Sequence, residues 1–337
     1  MTKTYIIAEI GPNHNGSFKL AKKMIGLLKN SGVDAIKFQL ANPENVYSKN
    51  SFKADYQIKN TEQGSIIDMS RKYQLSKQDH VKLANLCHKN KIDYLCSAFD
   101  KESLEFLVKK IKVKYIKIPS GEITSLDILD YISKLKKKII LSTGMASISE
   151  IKDAIKRLNK NHKQNIVILH CVSSYPTNKK DLNLNIIKEF QKIFKIDVGF
   201  SDHSLGNEAC LAAVAIGAKV IEKHVTISKK MIGPDHSSSS SIKDFLSLVK
   251  QIRELERMLG EPKKRLLRSE KNTRNVSRKS IVANKNLIKG EILKISDIVF
   301  KRPGTGISPM NFKSIIGMKL KKNIYANNLI LMRDLKK

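Results

Sequence analysis

Tryptophan is absent from the sequence, arginine is scarce, and no apolar run approaches membrane-spanning length. Runs such as 211–216 fall far short of the roughly 18 to 20 apolar residues that a spanning helix needs, which excludes a transmembrane class. The opening Met1-Thr2-Lys3-Thr4 leads into a strand-like run, not a signal sequence, so a cytoplasmic protein is expected. Only four cysteines occur (Cys87, Cys96, Cys171 and Cys210), with no C-x-x-C spacing. Each falls in an apolar segment, which predicts buried free thiols in a reducing compartment. The 63 Lys plus Arg against 31 Asp plus Glu give a net charge of +32, yet only ten of the 63 are Arg. Arg is the usual reader of phosphate and guanine edges. A lysine excess scattered through helical stretches, with aromatics at 6%, is a compositional habit and argues against a nucleic-acid partner.

What is present is the material of a folded, globular chain. Hydrophobic residues make up 41%, enough for a sizeable core. Short β-branched runs at 4–10, 34–40, 92–99, 113–119, 138–143, 165–172, 196–200 and 219–225 alternate with amphipathic stretches such as 18–31 and 76–90. Ser76 and Ser147 read as helix N-caps, the latter with Glu150 as a capping box. Eight βα alternations predict a (β/α)8 TIM barrel. The competing doubly wound open sheet lacks a G-x-G-x-x-G after the first strand. The excursion 41–73 after the second strand is too long for an ordinary connection, and loops of that length are usually functional. Beyond the last barrel helix at 242–259, Gly260-Glu261-Pro262 breaks the pattern. The expected domains are therefore a catalytic barrel over 1–260, a basic linker over 261–278 and a small β-rich module over 279–337.

In such a barrel the C-terminal ends of the strands build the active site, and here those ends are polar. They carry Glu9, Lys37 and Gln39, Ser97, Lys117 with Ser120 and Glu122, Ser142, Ser173 with Tyr175, Ser201 with Asp202 and His203, and Glu222 with His224. Lys37 and Lys117 lie inside apolar strands, where an ammonium group needs an anion, either a substrate phosphate or carboxylate or a structural ion pair. His203 and His224 come from neighbouring strands and can converge on one divalent ion, or can be ordinary core histidines. Asp202 and Glu222 beside them can orient the rings or a substrate. Glu122 and Asp235 remain as carboxylates for proton transfer. Asn13-His14-Asn15-Gly16 reads either as part of the site or as the turn into the first helix.

Taken together, Ala8-Glu9-Ile10-Gly11, Asn13-His14-Asn15-Gly16, Lys37-Phe38-Gln39, Lys117-Ile118-Pro119-Ser120-Gly121-Glu122, Leu141-Ser142-Thr143-Gly144-Met145, Ser201-Asp202-His203, Glu222-Lys223-His224 and Gly233-Pro234-Asp235 resemble the sialic acid synthase family. The tail, with Lys289-Gly290-Glu291 and Lys301-Arg302-Pro303-Gly304, resembles the antifreeze-like SAF module of that family. The resemblance implies a transferase that condenses phosphoenolpyruvate with an N-acylated mannosamine-type sugar. It implies a divalent metal, expected to be manganese, on His203 and His224. By motif position it assigns Lys37, Ser97, Lys117, Ser120, Ser142, Ser173 and Ser201 to phosphoenolpyruvate. Glu9, Gln39, Tyr175, Glu222 and Asp235 fall to substrate contact, with Glu122 and Asp235 as catalytic carboxylates. Arg302 would reach the sugar from a partner subunit in a domain-swapped homodimer. Ser173 and Ser97 depart from the Asn and Thr that relatives can carry. N-acetylneuraminate synthase is the leading expectation and N,N'-diacetyllegionaminate synthase the alternative. A nucleic-acid-binding protein or a non-catalytic carbohydrate-binding or ice-binding tail would leave the interior lysines and paired histidines unexplained.

Overall fold

The computed structural model describes residues 3–337 and divides into two compact units, 1–261 and 262–337. In the first, eight parallel strands close on themselves: β1 (Tyr5–Glu9), β2 (Ala35–Leu40), β3 (Asp93–Ala98), β4 (Tyr115–Ile118), β5 (Lys138–Ser142), β6 (Asn165–Cys171), β7 (Asp197–Asp202) and β8 (Val220–Thr226). Each pairs with the next, and β8 returns to β1 with Glu9 opposite His224. This is the TIM barrel predicted from the alternation.

Strand side chains alternate faces, and that period of two decides which residues meet inside. Ile7, Ala35, Leu95, Tyr115, Ile140, Leu169 and Val220 pack as a cluster of their own, the lower plug of the barrel. Two residues further along each strand stand Glu9, Lys37, Ser97, Lys117, Ser142, Cys171 and Glu222. The layer above the plug is therefore polar on nearly every strand. The intervening residues, such as Ile36, Phe38, Ile116, Leu141 and Phe200, face the surrounding helices in the main core. Gly199 has no side chain because a Cβ there would lie 2.5 Å from the Val220 carbonyl oxygen.

The outer helices form where capping and periodicity agree. Helix α1 (Phe18–Leu28) follows the first strand, capped by the Ser17 hydroxyl. Three short helices fill the excursion after β2: α2 (Pro43–Val46), α3 (Asp55–Asn60) and α4 (Ile66–Lys72). Asn42 and Ser65 cap α2 and α4. The barrel continues through α5 (Lys77–Lys89), α6 (Lys101–Phe106), α7 (Leu126–Ser133), α8 (Ile148–Leu158), α9 (Ile186–Phe194), α10 (Glu208–Ala215) and α11 (Ile242–Leu259). Ser76 and Ser147 cap α5 and α8, with the Ser147–Glu150 capping box formed in full. All four cysteines are buried free thiols. Among the described residues no helix is long and apolar enough to cross a membrane.

The second unit begins with the stretch read as a linker, yet that stretch carries a further helix, α12 (Lys271–Ser277). None of its side chains is buried, so it leaves no apolar periodicity to read. Beyond it, β9 (Ser280–Ala283) pairs antiparallel with β10 (Ile298–Lys301), and β11 (Lys319–Leu320) with β12 (Leu335–Lys336). Ile281, Leu287, Leu293, Ile315, Leu320 and Ile330 form its separate core.

Candidate active site

The two interior lysines have protein carboxylates as neighbours. Lys37 forms a buried ion pair with Glu9 and lies 3.7 Å from Glu222; Lys117 lies 3.9 Å from the same Glu222 oxygen. Lys37 Nζ also donates to Ser97 Oγ at 3.0 Å, and Lys117 Nζ to Ser142 Oγ at 2.6 Å. Ser201 Oγ donates to Glu222 at 3.2 Å. Burial pushes the Glu222 carboxyl up, but Lys117, Lys37, His203 and Ser201 outweigh it and hold the group below its ordinary range. For Lys37 burial dominates, with Lys117 adding to it against the pull of Glu222, and its pKa falls to about 8. One oxygen of Glu222 is buried with no hydrogen-bond partner, whereas the inner Glu9 oxygen is the one paired with Lys37. The layer is thus balanced in charge, and one buried acceptor, on Glu222, remains for a donor group to satisfy.

Above it opens a cavity of about 300 Å³, lined by Lys37, Gln39, Ser97, Lys117, Ser120, Ser142, Ser173, Tyr175, Ser201, Glu222 and both histidines. The structure therefore brings most of the predicted site residues into one space. Gly144 marks its edge: a Cβ there would lie 2.2 Å from Ser173 Oγ and 2.9 Å from Ser120 Oγ, and its N–H donates to Ser120. Hydroxyls and two ammonium groups converging on one cavity form a cradle for an anion bearing phosphate and carboxylate.

His203 and His224 stand side by side with ring centroids 5.4 Å apart. His203 Nδ1 faces the Val172 carbonyl at 2.8 Å and so must donate to it, leaving Nε2 with its lone pair. His224 Nδ1 is buried without a hydrogen-bond partner, with Asp235 Oδ2 at 3.5 Å. Burial, reinforced by His203 and the lysines, holds His224 well below the ordinary imidazole range and keeps it neutral. Burial opposes a charge on His203, but Cys171, the Val172 carbonyl and Glu222 outweigh it and raise its pKa, so a metal there would compete with a proton. Among the described residues no three His, Cys, Asp or Glu side chains close into a complete metal cluster. Two adjacent imidazoles, one with a buried nitrogen that lacks a partner, have lone pairs that fit a divalent ion.

Four residues read as possible members of the site sit elsewhere. Asp202, read as a group that could orient the histidines, faces outward. It forms a buried ion pair with Lys223 and accepts from Ser204 Oγ at 2.7 Å and Cys210 Sγ at 3.2 Å. The alternation explains this: Ser201 faces the interior, so its neighbour cannot. Glu122, on the short turn Ser120–Glu122, does not line the cavity and is hydrogen-bonded to Ser125; burial raises its pKa. Arg302 is exposed in the second unit, donating to the Ser277 carbonyl at 2.9 Å. His14 is buried in the turn before α1, where its Nδ1 accepts from the Gly16 N–H at 3.2 Å.

Sequence reasoning missed Tyr56. This tyrosine of α3 stacks on Tyr175 with centroids 4.9 Å apart, and Tyr175 in turn lies 4.1 Å from His203. Beyond this stack is a second cavity of about 200 Å³ that shares Gln39, Tyr56, Phe99, Tyr175 and His224 with the first and is also lined by Asp235. The signal was available in the three tyrosines, Tyr47, Tyr56 and Tyr73, of an otherwise polar excursion.

Comparison with known proteins places this geometry. The NeuB family model matches residues 24–264 and the SAF domain model residues 278–336. An N,N'-diacetyllegionaminic acid synthase of Campylobacter jejuni is 44% identical over 98% of this chain and 99% of its own length. The protein of that name from Legionella pneumophila is 37% identical over 97% of this chain and 93% of its own length. A solved N-acetylneuraminic acid synthetase of Leptospira borgpetersenii, in complex with citrate, is 33% identical with a TM-score of 0.72, over 81% of this chain and 90% of that one. With an anion cradle and a histidine pair in the cavity of a closed barrel, followed in sequence by a small β-rich unit, the chain belongs to the NeuB family of sialic and legionaminic acid synthases and carries a SAF domain.

Proposed function

We propose that this enzyme condenses phosphoenolpyruvate with a 6-deoxy-diacetamido mannose-type sugar to give N,N'-diacetyllegionaminate and phosphate. The observation that carries the reading is the 44% identity, along almost the full length of both chains, to a protein named for that product. The solved relative named for N-acetylneuraminate stands at 33%. The residue motifs alone put N-acetylneuraminate first, and the comparisons favour the alternative.

Lys37, Lys117 and the cavity serines neutralise and orient the phosphate and carboxylate of phosphoenolpyruvate. Its carbon 3 then attacks the aldehyde carbon of the open-chain sugar, the aldehyde oxygen gains a proton, water adds at carbon 2, and phosphate leaves with its bridging oxygen. Held by His203 and His224, a divalent ion, manganese by expectation, would supply Lewis acidity at the aldehyde oxygen. Gln39, Tyr175 and Glu222 position the sugar, and Asp235, whose pKa burial raises to about 7 against His203 and Lys37, can exchange a proton near neutrality. A domain-swapped homodimer belongs to the same reading, with Arg302 serving the other subunit's barrel. A mixed dimer of one Arg302→Ala chain and one His224→Ala chain then keeps about half its activity, and collapse would place the contact within one chain.

The reading is tested by phosphate release from phosphoenolpyruvate with both sugars, with and without manganese. Preference for the diacetamido sugar supports it. Preference for N-acetylmannosamine returns the assignment to N-acetylneuraminate, and acceptor-independent release overturns the synthase reading.

A further inference from the structure

The turn Asn13-His14-Asn15-Gly16 between β1 and α1 lines neither cavity of the site, yet both its asparagines bond to the loop that follows β8. Asn13 is buried and uses both hydrogens of its Nδ2: one goes to the Val225 carbonyl at 3.0 Å, the other to Ser239 Oγ at 2.8 Å. Ser239 in turn donates to the Asp235 carbonyl at 2.6 Å, to which Ser238 Oγ also donates at 3.1 Å. Val225 is the residue after His224. One amide group therefore spans the strand end that carries the histidine and the loop that carries the carboxylate.

Asn15 grips the same loop on the other side of Asp235. Its Nδ2 donates to the Ile232 carbonyl at 3.0 Å, which fixes the orientation of the amide and makes Oδ1 the acceptor for His236 Nε2 at 2.9 Å. His236 thus carries its proton on Nε2, and its Nδ1 accepts from the Thr226 hydroxyl at 2.6 Å. The ring is buried, and burial lowers its pKa to about 4, so every member of this network is neutral and acts on Asp235 by placement alone. Gly233 closes against the pair: a Cβ there would lie 2.6 Å from His236 Cδ2 and 3.0 Å from Asn15 Oδ1. Between these ties the Asp235 carboxylate faces His224 Nδ1 at 3.5 Å, a buried nitrogen with no hydrogen-bond partner. That contact is longer than an ordinary hydrogen bond and does not hold itself; the backbone on either side of Asp235 sets it.

We propose that Asn15 and His236 are positioning residues, which with Asn13 and Ser239 clamp the loop after β8 and hold the Asp235 carboxylate against His224. The assignment rests on the synthase reading above and gives the asparagine turn a part in it. The test is sugar-dependent phosphate release together with thermal unfolding of each full-length variant. His236→Gln keeps a donor where Nε2 stands, and Thr226 can turn its hydroxyl to the Ser228 carbonyl 3.1 Å away, so kcat should stay within about threefold of wild type. His236→Asn keeps the group that faces Thr226 but cannot reach Asn15. A displacement of about 1 Å costs on the order of 100-fold, so its kcat should fall by about 10- to 100-fold while the KM for phosphoenolpyruvate stays within about threefold. In an Asp235→Asn background, His236→Asn should cost less than about threefold in kcat, because no carboxylate is left to place, yet lower the thermal midpoint as much as it does alone. If His236→Asn loses its thermal transition, Asn15→Gly replaces it, since glycine suits the left-handed turn at φ +49° and deletes the amide. If Asp235→Asn has no measurable turnover, the comparison of His236→Gln with the link-breaking variant decides. Equal kcat for those two, or an undiminished kcat loss in the Asp235→Asn background, would overturn the clamp and leave the synthase reading intact. A wild-type enzyme with no sugar-dependent phosphate release would overturn both.

Discussion

Replacing Lys117 by Met separates the two things this lysine does. Its stem is buried among the barrel strands, and its ammonium group donates to Ser142 and lies 3.9 Å from Glu222. At that distance a pair of unit charges is worth about 4 kcal/mol at an effective dielectric near 20, an upper bound for the direct attraction. Lys37 remains 3.7 Å from the same carboxylate, so Glu222 is not stranded, and the net stability cost should be about 1 to 3 kcal/mol. Bound phosphoenolpyruvate keeps Lys37 and the cavity serines but loses the Lys117 contact outright. Losing one charge-assisted hydrogen bond of about 1.5 to 3 kcal/mol should raise its KM by about 10- to 150-fold. The assay is steady-state phosphate release with each substrate varied in turn, together with urea denaturation. Adding Glu222→Gln to Lys117→Met should return much of the stability and none of the phosphoenolpyruvate affinity. A folded Lys117→Met enzyme whose KM for phosphoenolpyruvate is within about threefold of wild type would refute the reasoning.

His203→Ala or His224→Ala should abolish turnover and manganese binding by titration calorimetry while leaving the urea midpoint nearly unchanged; retained metal binding by both variants would remove the metal from this pair. The depressed pKa of Lys37 sets a pH limb. The cation needed for the anion is lost as pH rises through about 8, so kcat/KM for phosphoenolpyruvate should fall above that pH, and Lys37→Arg, which stays charged, should lose the limb. Lys223→Met should cost about 3 to 5 kcal/mol in urea denaturation, because Asp202 is left buried without its counter-ion, with the KM for phosphoenolpyruvate unchanged. A kinetic defect without a stability loss would instead place Lys223 in the chemistry.

The barrel was legible because its signal is periodic: eight strands and the 242–259 helix were readable within a few residues, and polar strand ends named most of the cavity. What escaped detection lies where periodicity gives no guide. Sequence neighbours such as Ser201, Asp202, Glu222 and Lys223 look equivalent on paper, but alternation sends Ser201 and Glu222 inward and pairs Asp202 with Lys223 on the outer face. Helices α2, α3 and α12 bury few or no apolar residues, so they leave no stripe to read. Tyr56 gains its role only through a tertiary stack with Tyr175, more than a hundred residues away. The carboxylate partners of Lys37 and Lys117 depended on strand register, since Glu9 is opposite Lys37 across β1 and β2 and Ser201 opposite Glu222 across β7 and β8.

The central claim is a condensation that joins phosphoenolpyruvate to a neutral diacetamido sugar in this barrel. The most direct measurement is the mass of the product formed from those two substrates with manganese, with phosphate counted in the same reaction. A nine-carbon 2-keto acid formed one-for-one with phosphate, and absent in His224→Ala, is the predicted result; phosphate released at the same rate without any sugar, and no condensed product, would contradict it.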